Sequence, residues 1–234
     1  MKKTATTLTL LALCMAAAVP AFASNTVRIS QVYGGGGNTG ATYKYDYVEL
    51  FNFSGSPIDI SGWSLQYGSA TGTSDLGACV NCLTVFPAGS VIPSCGYYLI
   101  QLASGTNTTA ADLPVAADLV IPAATANNLS ATSGKIALKN NSTVTPCSPV
   151  TAFVDLVGYG TPNCIEGGGA AGAPSNSSGD VRGLGGVTDS DNNNLDFSVV
   201  SNPVPRNSQS PKNTECLAVP VTQKTWGSIK GIYR

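Results

Sequence analysis

The chain has 234 residues, 43% hydrophobic and 11% charged, with 12 Lys and Arg against 13 Asp and Glu. That apolar fraction is enough to bury a core and excludes wholesale disorder, and the near-balance of charge gives no general attraction to nucleic acid. Histidine is absent, which excludes Ser-His-Asp and Cys-His nucleophile systems, histidine general bases and histidine-ligated metals.

Lys2 and Lys3 precede an apolar stretch over residues 8–19 and then Ala21-Phe22-Ala23. This is the pattern of a leader peptide cleaved near Ala23-Ser24, so residues 1–23 are expected to be removed on export to the periplasm, the cell surface or the medium. Leu13 is too bulky to precede a lipidated cysteine at Cys14. No later segment approaches 18 uninterrupted apolar residues, so no membrane span is expected. Residues 24–216 are expected to form one domain, followed by a tail over 217–234. Without Lys2 and Lys3, residues 24–205 hold five basic and twelve acidic side chains, whereas five basic residues and one acid follow from Arg206 onward.

Strand signals then recur between turn clusters rich in the chain's 26 Gly and 14 Pro. Val27 and Ile29 alternate with Arg28 and Ser30; Trp63, Leu65 and Tyr67 with Ser64 and Gln66; Ile136 and Leu138 lie between Lys135 and Lys139. Such alternation predicts half-buried strands. Residues 97–102 and 152–157 are more uniformly apolar and read as central strands, while 34–40, 69–74, 167–179 and 189–194 read as loops. Many short strands without intervening amphipathic helices predict an all-β, antiparallel sandwich.

Apart from Cys14, six cysteines remain, an even number suited to disulfides in an oxidising compartment. Cys147 and Cys164 flank the strand at 152–157 and are expected to form a local bridge, worth about 3 kcal/mol by loop entropy. Cys79, Cys82, Cys95 and Cys216 supply two more, their pairing left open. Cys79 and Cys82 have the spacing of a redox motif, but Leu83-Thr84-Val85-Phe86-Pro87 reads as strand, not as the helix that would lower a thiol pKa.

Several segments together resemble the lamin tail domain, an immunoglobulin-like β-sandwich family. They are Val27-Arg28-Ile29-Ser30-Gln31-Val32-Tyr33, Asp46-Tyr47-Val48-Glu49-Leu50-Phe51-Asn52, Pro57-Ile58-Asp59-Ile60-Ser61-Gly62-Trp63-Ser64-Leu65, and Pro87-Ala88-Gly89-Ser90-Val91-Ile92-Pro93 with Gly96-Tyr97-Tyr98-Leu99-Ile100. Asp155-Leu156-Val157-Gly158-Tyr159-Gly160, Asp189-Ser190-Asp191-Asn192-Asn193 and Pro205-Arg206-Asn207-Ser208 look like the extended form of exported bacterial members. In those relatives a cysteine often precedes the aspartate run; Val187 stands here, which leaves the partner of Cys216 open. The resemblance implies that Val48 and Leu50 face inward and that the Gly62 turn sets Trp63 in the core rather than in a sugar-stacking pair with Tyr67. It also implies a non-catalytic binding or structural module, with DNA or extracellular phosphate chemistry only by association.

Individual motifs add little catalysis. Residues 35–40 match G-x-G-x-x-G, but a strand-like segment follows where a pyrophosphate site needs a helix N-terminus, so a flexible hairpin loop is expected. Asp46 and Glu49 lie three apart on one strand and so face opposite ways, which rules out a glycosidase pair. Asp59, Asp155 and Asp196 are expected to be solvated or to cap turns, and no lysine has a serine three positions before it. Asp189, Asp191 and Asn193 at alternate positions, with Asp196 beyond, form a candidate calcium set, although Asn194 and Val200 stand where an EF-hand needs Gly and Glu. No cofactor is otherwise expected.

In the tail, Trp226, Ile229 and Tyr233 have helical spacing, with Lys230 and Arg234 four apart, a pattern for a partner or membrane surface. The expected role is an exported interaction module for a protein or cell-envelope component. Two alternatives are an accessory DNA-binding module using Arg206, Lys212, Lys224, Lys230 and Arg234, and a histidine-free, metal-dependent hydrolase with converging carboxylates.

Overall fold

A computed structural model describes residues 26–107 and 109–217. Twelve strands are defined there: β1 (Val27–Tyr33), β2 (Tyr45–Asn52), β3 (Ile58–Asp59), β4 (Ser64–Ser69), β5 (Leu83–Val85), β6 (Val91–Ile92), β7 (Tyr97–Ser104), β8 (Leu119–Val120), β9 (Gly134–Lys139), β10 (Asp155–Tyr159), β11 (Ser178–Arg182) and β12 (Phe197–Ser201). A six-stranded sheet in the order β12-β11-β1-β2-β7-β8 faces a four-stranded sheet in the order β10-β9-β4-β5, and β3 pairs with β6 beside them. The fold is an all-β, immunoglobulin-like sandwich. The pairings between these strands are antiparallel except β7 with β8, where Ile100 lies opposite Leu119 in parallel register.

Side-chain alternation builds the core between the sheets: Val48 and Leu50 from β2, Tyr98, Ile100 and Leu102 from β7, Leu65 from β4, Ile136 and Leu138 from β9, and Val157 and Tyr159 from β10. In β1 the alternation slips. The pairing with β2 runs from Ile29 opposite Leu50 to Gln31 opposite Glu49, leaving Ser30 as a bulge. Val27, Ile29 and Val32 consequently all reach the core, while Tyr33 joins Tyr43, Tyr47 and Leu99 in a second cluster capped by Leu113, Val115 and Ala117.

Clusters on the outer faces of both sheets overturn the expectation of half-buried strands. Every residue of β1 and β9 is buried, including Arg28, Gln31, Lys135 and Lys139. The outer face of the large sheet is covered by loop residues and by the segment after β12. Trp63 is half-buried against the margin of the core, one residue past the left-handed Gly62 turn, rather than a central anchor, and Tyr67 is buried with its hydroxyl accepting from Ser130 N. The apolar run at 152–157 is not a central strand: a 3₁₀ turn occupies Val150–Ala152, and β10 is an edge strand.

In the glycine-rich run, residues 34–37 are buried, whereas Asn38, Thr39 and Gly40 are exposed. A Cβ on Gly36 would lie 2.1 Å from the carbonyl carbon of Tyr45, so only glycine permits this approach. Gly36 N donates to Asp46 Oδ1 at 2.8 Å, and the other oxygen of Asp46 accepts from Leu129 N at 2.8 Å.

The three bridges are Cys79–Cys82, Cys95–Cys216 and Cys147–Cys164, with Cα separations of 5.2, 5.5 and 6.1 Å. Cys147 and Cys164 pack against Leu76, Ala137, Phe153 and Leu156 on the outer face of the small sheet. No helix among the described residues is long and apolar enough to cross a membrane. The expected leader over residues 1–23 and the tail residues Lys224, Trp226, Ile229, Lys230, Tyr233 and Arg234 lie outside the described residues.

Candidate functional site

The most concentrated chemistry lies where β11 stops pairing with β1. That ladder contains Gln31 opposite Val181 and Val32 opposite Asp180, so the backbone of Ile29 beyond the bulge needs other partners. Two side chains supply them. Asp155 Oδ2, from β10 of the small sheet, accepts from Ile29 N at 2.6 Å, and Arg182 Nε, from β11 of the large sheet, donates to Ile29 O at 2.8 Å. Arg182 also holds Asp155 through Nη2 at 2.7 and 3.0 Å, so a buried ion pair joins the two sheets.

Further charge surrounds this pair. Arg182 Nη1 lies 3.2 Å from Asp189 Oδ1 and 3.5 Å from Asp196 Oδ2, and the guanidinium sits over the Phe197 ring at 4.5 Å. Arg28 Nε meets Asp189 Oδ2 at 3.0 Å, its Nη1 donates to Val187 O, and its guanidinium lies 4.5 Å from the Phe53 ring centre. Burial pulls the Arg182 pKa down, but Asp155, Asp189 and Asp196 more than offset it and keep the guanidinium charged.

Three carboxylates gather at the edge of this cluster: oxygens of Glu166, Asp189 and Asp191 lie within 4.8 Å of one another. Glu166 is only 8% exposed, and its Oε2 is buried without a hydrogen-bond partner. Burial, with Asp155, Asp189 and Asp191 nearby, pushes its pKa up to about 9. Asp191 has φ 51°, a left-handed conformation that aspartate tolerates better than most residues.

The candidate calcium set of Asp189, Asp191, Asn193 and Asp196 is therefore divided. Asn193 Oδ1 accepts from Gly158 N at 2.9 Å and Glu166 N at 3.1 Å, while its Nδ2 donates to Leu156 O at 2.8 Å. Asp196 accepts from Ser190 N, Ser190 Oγ and Asn192 N and faces Arg182. Both pin the loop from inside, and Glu166 from a distant loop stands beside Asp189 and Asp191 instead. Asp155, expected to be solvated or turn-capping, is buried in the ion pair with Arg182; Asp196 is equally buried, at 2% exposure, but does cap the turn at Ser190 and Asn192, and Asp59 caps one as well, accepting from Ser61 N at 2.8 Å.

The basic set is divided as well. After β12 the chain crosses the outer face of the large sheet as a strap. Arg206 Nη2 meets the fully buried Glu49 Oε1 at 2.6 Å, its backbone N meets Oε2 at 2.6 Å, and its guanidinium stacks on the Tyr97 ring at 3.8 Å. This guanidinium is committed to Glu49 and Tyr97, with 25% of the Arg206 side chain exposed. Lys212 is exposed, donating to Ser94 Oγ. Asp118 receives Ser208 N and Oγ, Asn213 N donates to Cys95 O, and the Cys95–Cys216 bridge closes the strap. Asp46 and Glu49 do diverge: one serves backbone amides at the glycine loop, the other the strap.

Sequence reasoning missed Glu166 and Arg182. Glu166 is a lone acid just before the loop read at 167–179; Arg182 ends a strand whose inward positions, Asp180 and Arg182, are polar. The available signal was the i, i+2 spacing of those two charges around Val181, which places both on one face.

Comparison with known proteins agrees with this architecture. The family model described as Lamin Tail Domain matches residues 20–161, so β11, β12 and the strap lie beyond the matched span. No curated protein matches. Among solved structures, a crystal structure of a DUF4876 family protein from Bacteroides thetaiotaomicron is similar, with a TM-score of 0.53 and 12% identity, covering 80% of this chain and 74% of that chain. At that identity the likeness bears on the fold alone.

Proposed function

We propose that this chain, which belongs to the lamin tail domain family, is an exported, non-catalytic sandwich module that acts outside the cytoplasm by binding a protein or cell-envelope component. The observation that carries this reading is the state of the cysteines. All six beyond the leader-like segment are joined in three bridges, one of them closing 121 residues, and such frameworks persist where thiols are not kept reduced.

The placement of the carboxylates supports the non-catalytic part. Asp46, Glu49, Asp155 and Asp196 are engaged by backbone amides, hydroxyls or guanidinium groups that hold the fold. A polar hollow of about 540 Å³ lies among Gly37, Asn38, Thr39, Gly40, Thr106, Asn107 and Thr109, and none of the charge cluster lines it.

The test is to express the full chain in a Gram-negative host, fractionate the cells and alkylate before and after reduction. A chain starting at Ser24, found outside the cytoplasm with six cysteines that alkylate only after reduction, is the expected result. A cytoplasmic chain with freely reactive thiols would overturn the proposal. Turnover of nuclease or phosphatase substrates by the mature chain with magnesium, calcium or manganese, abolished by Glu166→Gln, would overturn the non-catalytic reading and favour the hydrolase.

A further inference from the structure

We infer that Glu166, Asp189 and Asp191 form a site for one calcium-type divalent cation, which fastens the 166–169 loop to the 189–194 loop. The spacing fits such an ion. Calcium takes oxygen ligands at roughly 2.3–2.6 Å, so ligands on opposite sides of it are separated by roughly 4.6–5.2 Å and adjacent ones by less; the three carboxylate oxygens lie within 4.8 Å of one another.

The buried Oε2 of Glu166 points to the ligand. It lacks a hydrogen-bond partner, and a carboxylate oxygen of the same side chain lies beside two further carboxylates. A desolvated carboxylate in that position is unfavourable unless a cation or proton accompanies it. Asp189 is compatible with a shared role because each carboxylate oxygen has more than one acceptor position, so its contacts to Arg28 and Arg182 leave room for a metal. The charge balance agrees: Asp155, Asp189, Asp191, Asp196 and Glu166 are five carboxyl groups against the guanidiniums of Arg28 and Arg182. An all-oxygen donor set selects a hard cation over zinc or copper.

The framework for the site exists without the ion. Asn193 N donates to Glu166 O at 3.1 Å, Asn194 N donates to Gly169 O at 3.1 Å, and Gly167 lets the first loop approach the backbone of Asp191 and Asn192. The cation would convert this backbone lacing into a closed clasp.

The probe is calcium chloride added to the mature, disulfide-bonded chain after chelator treatment, followed by titration calorimetry, thermal unfolding and elemental analysis. Expected are one saturable site with a Kd of roughly 10⁻⁵–10⁻³ M, a melting temperature that rises with calcium, and at least tenfold weaker binding by magnesium. Glu166→Gln and Asp191→Asn are each expected to weaken binding at least tenfold while remaining folded by circular dichroism. Asparagine accepts the left-handed backbone at 191, so this second variant reads out ligation should Gln at 166 disturb packing. Absence of heat and of melting shift, with no retained metal by elemental analysis, would overturn the site. So would unchanged affinity in both variants, or magnesium binding as tightly as calcium.

Discussion

Replacing Arg182 with methionine tests whether the cross-sheet ion pair supports the fold. The side chain is fully buried and bonded to Asp155 through two nitrogen–oxygen contacts, with Asp189 and Asp196 close behind. Methionine fills much of the volume but leaves Asp155 facing a dry interior, and removing one partner of a buried pair costs about 3–5 kcal/mol. The carbonyls of Ile29 and Thr188 lose donors at 2.8 and 3.3 Å, adding about 1 kcal/mol or more. The expected loss at pH 7 is thus about 4–6 kcal/mol, a large share of the about 5–15 kcal/mol that holds an ordinary domain together. Urea unfolding followed by tryptophan fluorescence measures it. Adding Asp155→Asn to the variant removes the stranded charge and is expected to restore about 1–3 kcal/mol. Should the single variant be too unstable to purify, recovery of a folded double variant gives the same answer. A loss below about 1 kcal/mol, or strictly additive effects of the two substitutions, would refute the reasoning.

Asp180 is buried with both carboxylate oxygens lacking hydrogen-bond partners, and burial pushes its pKa to about 7. Because the folded value exceeds the unfolded one, the group's contribution is full below about pH 4 and is lost as pH rises toward 7; Asp180→Asn is therefore expected to be nearly neutral at pH 4 and stabilising by about 2–4 kcal/mol at pH 8 in urea titrations. Cys95→Ser with Cys216→Ser should cost about 3–5 kcal/mol by the loop-entropy estimate, and limited proteolysis should then cut first within residues 203–216. Arg206→Ala should cost about 3 kcal/mol by leaving the buried Glu49 charge unpaired, with Arg206→Lys recovering only part in the same unfolding assay, since an ammonium lacks the fork geometry and the flat face that stacks on Tyr97.

The sandwich was legible because β4, β9 and the start of β1 alternate apolar and polar residues, and that rhythm identifies an inward face without further information. The same rhythm misjudged the outer face: polar alternates such as Arg28 and Gln66 read as solvent-facing, yet remote segments cover them. It also passed over β11, whose inward positions carry Asp180 and Arg182 where aliphatic residues were expected. The acidic run at 189–196 was visible, but the division of labour within it was not, because that depends on Glu166, Gly158 and Arg182 arriving from elsewhere in the chain. The link from Cys95 to Cys216 was equally hidden, since it depends on the strap's route across the sheet.

That route decides where the domain can be held. Phe53 N donates to Thr26 O, Cys95 N donates to Ser54 O, and Cys216 is bonded to Cys95, so the first and last described segments meet beside one another at one pole. The opposite pole gathers the 34–44 loop with Asn107, Asn176 and Asn202. Thr26 and Leu217 therefore lie on the near side, and the far loops project away from it, as a lantern hangs from its hook.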